Sequence, residues 1–101
     1  MRRIVITGLG LVTSIGDGVE DTWNNLLSLK SGIKKISSFD TEDLPCKIAG
    51  FINHDSKKEN YLNLEKYFIT KEINRNDRFI LYGLAAAEQA IKDSGFDNKN
   101  E

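Results

Sequence analysis

The chain has 101 residues, 40% hydrophobic and 29% charged, with a formal net charge of −1 and an isoelectric point near 5.8. That length supports one domain with a modest core, and the balanced charge argues against a global basic field for nucleic acid or an anionic membrane. Cys46 is the only cysteine and His54 the only histidine, which excludes an internal disulfide and a Cys/His zinc cluster supplied by this chain alone and fits a reducing compartment.

Arg2 and Arg3 ahead of an apolar run faintly mimic a secretory leader. Thr7, Gly8 and Gly10 interrupt the run, and Asp17, Glu20 and Asp21 follow it, so no leader is expected. No uninterrupted apolar stretch reaches the roughly 18 residues that span a bilayer. A cytoplasmic location is the expectation.

The opening "RRIVITGLGLVTSIG" places Ile4, Val5 and Ile6 in a β-branched run that reads as a strand covered on both faces, ended by Gly8 and Gly10. Asp17 stands three residues before Glu20, as in a capping box, and Val19, Trp23, Leu26 and Leu27 recur on one helical face. This helix should finish near Lys30, with Gly32 as a left-handed stop and Ile33 folding back on its end. The stretch from Lys34 to Pro45 is polar and turn-rich. "CKIAGFI", from Cys46 to Ile52, predicts a second strand with a bulge at Gly50.

A loop is expected from Asn53 to Asn63, then a long helix from Asn63 or Thr70 to Asp93, stopped by Gly95 and Phe96. Residues 97–101 should fray. Within that helix Ile80, Leu84, Ala87 and Ile91 form an apolar stripe, while Gly83, Ala86 and Ala90 form a face of small residues. Alanine is a good helix former, which would leave the second face simply exposed. Alternatively, a doubly covered strand and a helix contacted on two sides demand more cover than this chain offers, as in a piece of a larger α/β body.

The glycines invite a nucleotide-binding reading. Gly8, Gly10 and Thr13 stand at the places of a dinucleotide fingerprint, but Thr13 is not the small third residue that close helix packing needs. A phosphate loop needs lysine after its last glycine, and Gly16 is followed by Asp17. A nucleotide-binding domain on Gly8, Gly10 and Gly16 is therefore the weaker alternative to a plain strand-to-loop turn.

"RRIVITGLGLVTSIGDGVEDTWNNLLSLKSGI" resembles the amino-terminal strand, loop and first helix of the β-ketoacyl-acyl-carrier-protein synthases, particularly the type II condensing enzymes. "FDTEDLPCKIAGFI", with Phe39, Asp40, Lys47, Ala49 and Gly50 in register, and "NRNDRFILYGLAAAEQAIKDSGF" continue the likeness. The resemblance implies an incomplete α/β fold, the amino-terminal part of a thiolase-like (αβαβα layered) architecture, with residues 1–101 as a partial ketosynthase domain. It implies a decarboxylating Claisen condensation in fatty-acid elongation, a homodimer, and no metal or organic cofactor. In the family the nucleophilic cysteine and both catalytic histidines lie downstream of the matched stretch. No catalytic residue is thus expected here, and the chain alone should be inactive.

Cys46, in the approach to a strand, reads as a small, partly buried structural residue rather than a nucleophile. His54 reads as a surface histidine in a polar loop. Lys71, Arg75 and Arg78 recur at i, i+4 and i+7 and would share one face of a helix beginning before Lys71. By spacing alone that is a solvated face, with Glu72 and Asp77 interleaved. By resemblance Lys71 and Arg75 match positions that dock the acidic acyl-carrier protein, with Asn74 where a further arginine often stands. Alternatively, the chain is a non-enzymatic module that binds the carrier through Lys71, Arg75 and Arg78. Trp23, Phe79 and Tyr82 fall on apolar helical faces and are expected to pack in the core. The isolated chain should expose the small-residue face of its long helix and be marginal, sticky or self-associated.

Overall fold

The computed structural model describes residues 1–54 and 61–96. The expected fraying of residues 97–101, and the middle of the expected loop, lie outside the described residues. The chain's first ladder is a tight hairpin of β1 (Val12–Thr13) and β2 (Gly16–Asp17), with Val12 opposite Asp17 and Thr13 opposite Gly16. Thr13 fastens it. Its hydroxyl donates to the Gly16 carbonyl (3.1 Å) and accepts from the Ile15 N–H (3.3 Å).

Helix α1 (Val19–Leu27) follows directly. The expected capping box does not form, because the N-cap is Gly18, at φ 106°, and makes no side-chain cap bond. Asp17 is drawn away to other partners, described below. Glu20 and Asp21 still place negative charge in the first turn, where the helix dipole favours it. At the other end Leu29 donates to the Leu26 carbonyl (3.1 Å) and Lys30 to that of Asn25 (3.0 Å). These are the paired bonds of a Schellman ending. The left-handed residue is Leu29, at φ 61°, and not Gly32 as expected. Gly32 instead makes a close approach, since a Cβ there would run into Ser14 Oγ.

Strand β3 (Ile33–Lys35) pairs antiparallel with β4 (Ile48–Gly50), Ile33 facing Gly50, Lys34 facing Ala49 and Lys35 facing Ile48. The expected second strand is present but shorter, and its partner begins the stretch read as turn-rich. Gly50 sits in regular register and forms no bulge. After a 3-10 turn (Leu64–Lys66), capped by Asn63 Oδ1 on the Glu65 N–H at 3.1 Å, come α2 (Thr70–Arg75) and α3 (Arg78–Ser94). The single long helix is therefore broken at Asn76 and Asp77, both extended. Asn76 closes α2: its backbone N–H (3.2 Å) makes the last helical bond to the Glu72 carbonyl, and its Nδ2 (2.9 Å) donates to the same oxygen, a side-chain bond that favours ending or bending a helix. Gly95 ends α3 in the left-handed region, φ 70°, as expected.

The core is small. Leu62, Leu64 and Leu81 form it, with Val12, Ile52, Tyr67, Phe68, Ile73 and Tyr82 packed around them, and Ala85 also buried. Two of its leucines lie at the edge of the expected loop. Tyr82 packs as expected, but Trp23 and Phe79 are exposed, Phe79 at 73%. Residues 4–6 overturn the doubly covered strand: they join no ladder among the described residues, and Ile4 is 95% exposed. No other strand among the described residues lies beside them.

The two faces of α3 are also reversed from expectation. Gly8 and Gly10 pass so close to it that a Cβ on either would strike the backbone carbonyl of Ala90 or Ala86. Two glycines thus cover most of the small-residue face, although a Cβ on Gly83 would meet nothing among the described residues. The open face is instead the apolar stripe, where Ile80, Leu84, Ala87 and Ile91 are all exposed.

Candidate functional site

The glycine motif is occupied from within. In the extended segment before β1, the Leu9 N–H donates to Asp93 Oδ2 and the Leu11 N–H to Gln89 Oε1, each at 3.0 Å. Backbone amides that a phosphate would need are thereby held by a carboxylate and an amide of α3. The segment is a contact of extended chain with α3 and not a nucleotide cradle.

Gln89 also completes a polar clasp. Its Nε2 donates to Asp17 Oδ1 (2.8 Å) and lies 2.9 Å from Tyr67 Oη, which itself donates to Asp17 Oδ1 (3.0 Å). Three distant parts of the chain, β2, the residue after the 3-10 turn and α3, meet in this group. Burial pushes the Tyr67 phenol above its ordinary range; the Gln89 bond opposes this, and the neighbouring Asp17 reinforces it. A cleft of about 540 Å³ opens beside the clasp, lined among others by Glu20, Trp23, Lys66 and Asp93. The clasp was not legible in advance. Asp17 carried a local capping signal, and Gln89 is one polar residue in an alanine-rich helix.

Cys46 and His54 go to separate places. The Cys46 thiol is exposed rather than partly buried and donates to the Ile48 carbonyl (3.3 Å) across the start of β4. His54 is exposed, as expected of a surface histidine, but its ring has a partner: it stacks on Tyr82, centroids 5.6 Å apart and planes 11° from parallel, with Nε2 2.6 Å from Tyr82 Oη. They form no hydrogen bond with each other. Partial burial, then the Arg78 charge, hold the imidazole below its usual pKa of 6.5, and a backbone bond at Leu62 acts the other way. Burial raises the Tyr82 phenol, against the opposing influence of Arg78.

The three cations do not share one helix. Lys71 and Arg75 stand one turn apart on α2, whereas Arg78 is the first residue of α3, beyond the break. All three side chains are exposed and form no ion pair with a described residue. Arg78 lies one turn before Tyr82 on α3, which brings the His54 ring onto the same side. The arrangement is an exposed cationic surface around a helix junction, interleaved with Glu72 and Asp77.

Residues 1–101 match the family described as "Beta-ketoacyl synthase, N-terminal domain". The chain is 38% identical over 101 residues to the 3-oxoacyl-[acyl-carrier-protein] synthase 2 of Rhizobium meliloti (strain 1021), covering 100% of this chain and 24% of that protein. Against the protein of the same name from Vibrio cholerae serotype O1 (strain ATCC 39315 / El Tor Inaba N16961) identity is 37%, over 99% of this chain and 22% of the relative. For that of Staphylococcus aureus (strain COL) it is 39%, over 98% and 22%. Among solved structures, the ishigamide ketosynthase/chain length factor superposes with a TM-score of 0.75 at 29% identity, covering 98% of this chain and 23% of that one. The chain thus spans about a quarter of the length of these relatives, and its elements are the amino-terminal part of a thiolase-like fold. No helix among the described residues is long and apolar enough to cross a membrane.

Proposed function

We propose a function from one premise: the chain belongs to the β-ketoacyl synthase family. It supplies the amino-terminal part of a condensing enzyme of fatty-acid elongation. In that reaction an acyl group passes from a carrier thioester to a cysteine sulfur, releasing the carrier thiol. Malonyl-carrier protein then loses carbon dioxide, and its carbanion attacks the acyl carbonyl and expels the cysteine thiolate. A thiolate nucleophile, an oxyanion pocket and two histidines are the groups this chemistry needs. They belong to the portion of the relatives beyond the matched quarter, and neither Cys46 nor His54 takes their place.

The contribution of this chain is scaffold and docking surface. Lys71, Arg75 and Arg78 attract the acidic acyl-carrier protein, steering it electrostatically more than gripping it. The observation that supports this reading is the exposure of all three side chains, free of ion pairs with described residues, around one helix junction. The assembled enzyme is a cytoplasmic homodimer, and condensation needs no metal or organic cofactor.

Two measurements test it. Malonyl-dependent condensation is assayed with the purified chain alone, then with a separately produced carboxy-terminal remainder of a similar synthase; activity only on mixing is expected, and activity of the chain alone would overturn the reading. Binding of acyl-carrier protein should weaken as salt rises and on K71A or R75A. Salt-insensitive binding would remove the docking role.

A further inference from the structure

His54 stands where the cationic surface meets the core. Its ring lies flat on Tyr82 and bonds that phenol, and Tyr82, itself packed against the core cluster, follows Arg78 by one turn of α3. Imidazole and guanidinium therefore share one side of the helix. Among the described residues, the titratable groups around the ring are Tyr82 and Arg78 from α3 and, across a cavity, Tyr61 and Glu65; Leu62, Leu64 and the α2 residue Ile73 complete that wall. Asp55, next in sequence, lies outside the described residues. This is a histidine placed beside a fixed cation that the docking surface already uses.

We propose that His54 is a proton-gated fourth cation of the docking surface, taking up a proton when an acidic partner protein settles over Arg78. The inference rests on the docking role proposed above. Partial burial and the neighbouring guanidinium disfavour the imidazolium in the free chain. Carboxylates brought up to Arg78 offset its field and supply the imidazolium with counter-charge. Docking and protonation then favour each other by the same factor, as linkage requires. The proton comes from solvent, at most one per complex, and Tyr82 holds the ring in place in both states. Binding should tighten on the order of five-fold between pH 8 and pH 6, a range in which ordinary carboxylates on the partner stay ionised.

Isothermal calorimetry with holo-acyl-carrier protein at pH 7, in two buffers of different ionisation enthalpy, reads the proton directly. Net uptake is expected with the native chain, and its loss with H54Q. Since His54 is the sole histidine, its ring resonance in the isotope-labelled chain gives a readout that needs no variant: its titration midpoint should rise when the carrier is saturating, and R78Q should raise the midpoint of the free chain. Binding with no proton uptake, or equal uptake by H54Q, would overturn this inference and leave the docking surface standing. No binding at any pH from 6 to 8 in low salt would sink the docking role and this inference together.

Discussion

Residues 4–6 and residues 8–11 are neighbouring stretches of one extended segment, and they end up in opposite situations. The first is Ile-Val-Ile, the most apolar triplet near the start, yet it is open to solvent. The second contains two glycines and is held against α3 by backbone approach and two side-chain hydrogen bonds. Hydrophobicity supplies a driving force but not a neighbour. What decides contact here is which part of the segment has a surface of matching shape within the same chain.

The contrast can be broken most sharply at Gly10. A branched side chain there meets the backbone of α3, which cannot move aside as a side chain could. G10V should cost about 3 kcal/mol, the upper part of the usual overpacking range, seen as a lower melting temperature and loss of hydrogen-exchange protection at Leu9 and Leu11. Q89A comes next. It leaves the Leu11 amide and the Asp17 and Tyr67 clasp short of a partner, and about 2 kcal/mol should be lost in denaturant titration.

Leu29 provides a yardstick away from both stretches. It is exposed and left-handed, so L29G should stabilise the chain by about 1 kcal/mol, read as a higher denaturation midpoint. The smallest effect belongs to the open stretch: V5S should alter stability by less than about 0.5 kcal/mol. It should, however, reduce self-association in sedimentation measurements, because Ile4, Val5 and Ile6 form part of the exposed apolar surface. A large loss of stability in V5S would show that the stretch is covered after all.

Local signals proved readable where local physics decides the outcome. The apolar spacing of Val19 to Leu27 and the glycine stop at Gly95 each correspond to an element or an ending where expected. The break at Asn76 was missed because the helical pattern of charges runs through it, while the extra side-chain bond from Asn76 to the Glu72 carbonyl forms only once α2 is in place. β3 was missed because its three residues include two lysines and gain their ladder only from β4, distant in sequence. The faces of α3 were read in the wrong order for a related reason. Small residues looked idle, whereas two glycines far away in sequence were shaped to meet them. The site followed the same pattern: Lys71, Arg75 and Arg78 were visible as charges, but the Asp17, Tyr67 and Gln89 clasp and the seat of His54 on Tyr82 exist only once the chain is folded.

The contact between residues 8–11 and α3 behaves as a vernier. Gly8 meets Ala90 and Gly10 meets Ala86, while the amides of Leu9 and Leu11 meet Asp93 and Gln89. Two residues of extended chain are thus matched to four of helix, running in opposite directions. Two strand residues advance about 6.7 Å and four helical residues about 6 Å, so the scales agree over one repeat and drift by roughly half an ångström or more with each further one. The match is good for two rungs and poor for many. That mismatch gives a geometric reason for the chain to turn away into β1 immediately after Leu11, and it means that a one-residue slip of the segment would put leucine side chains where the helix accepts only glycine.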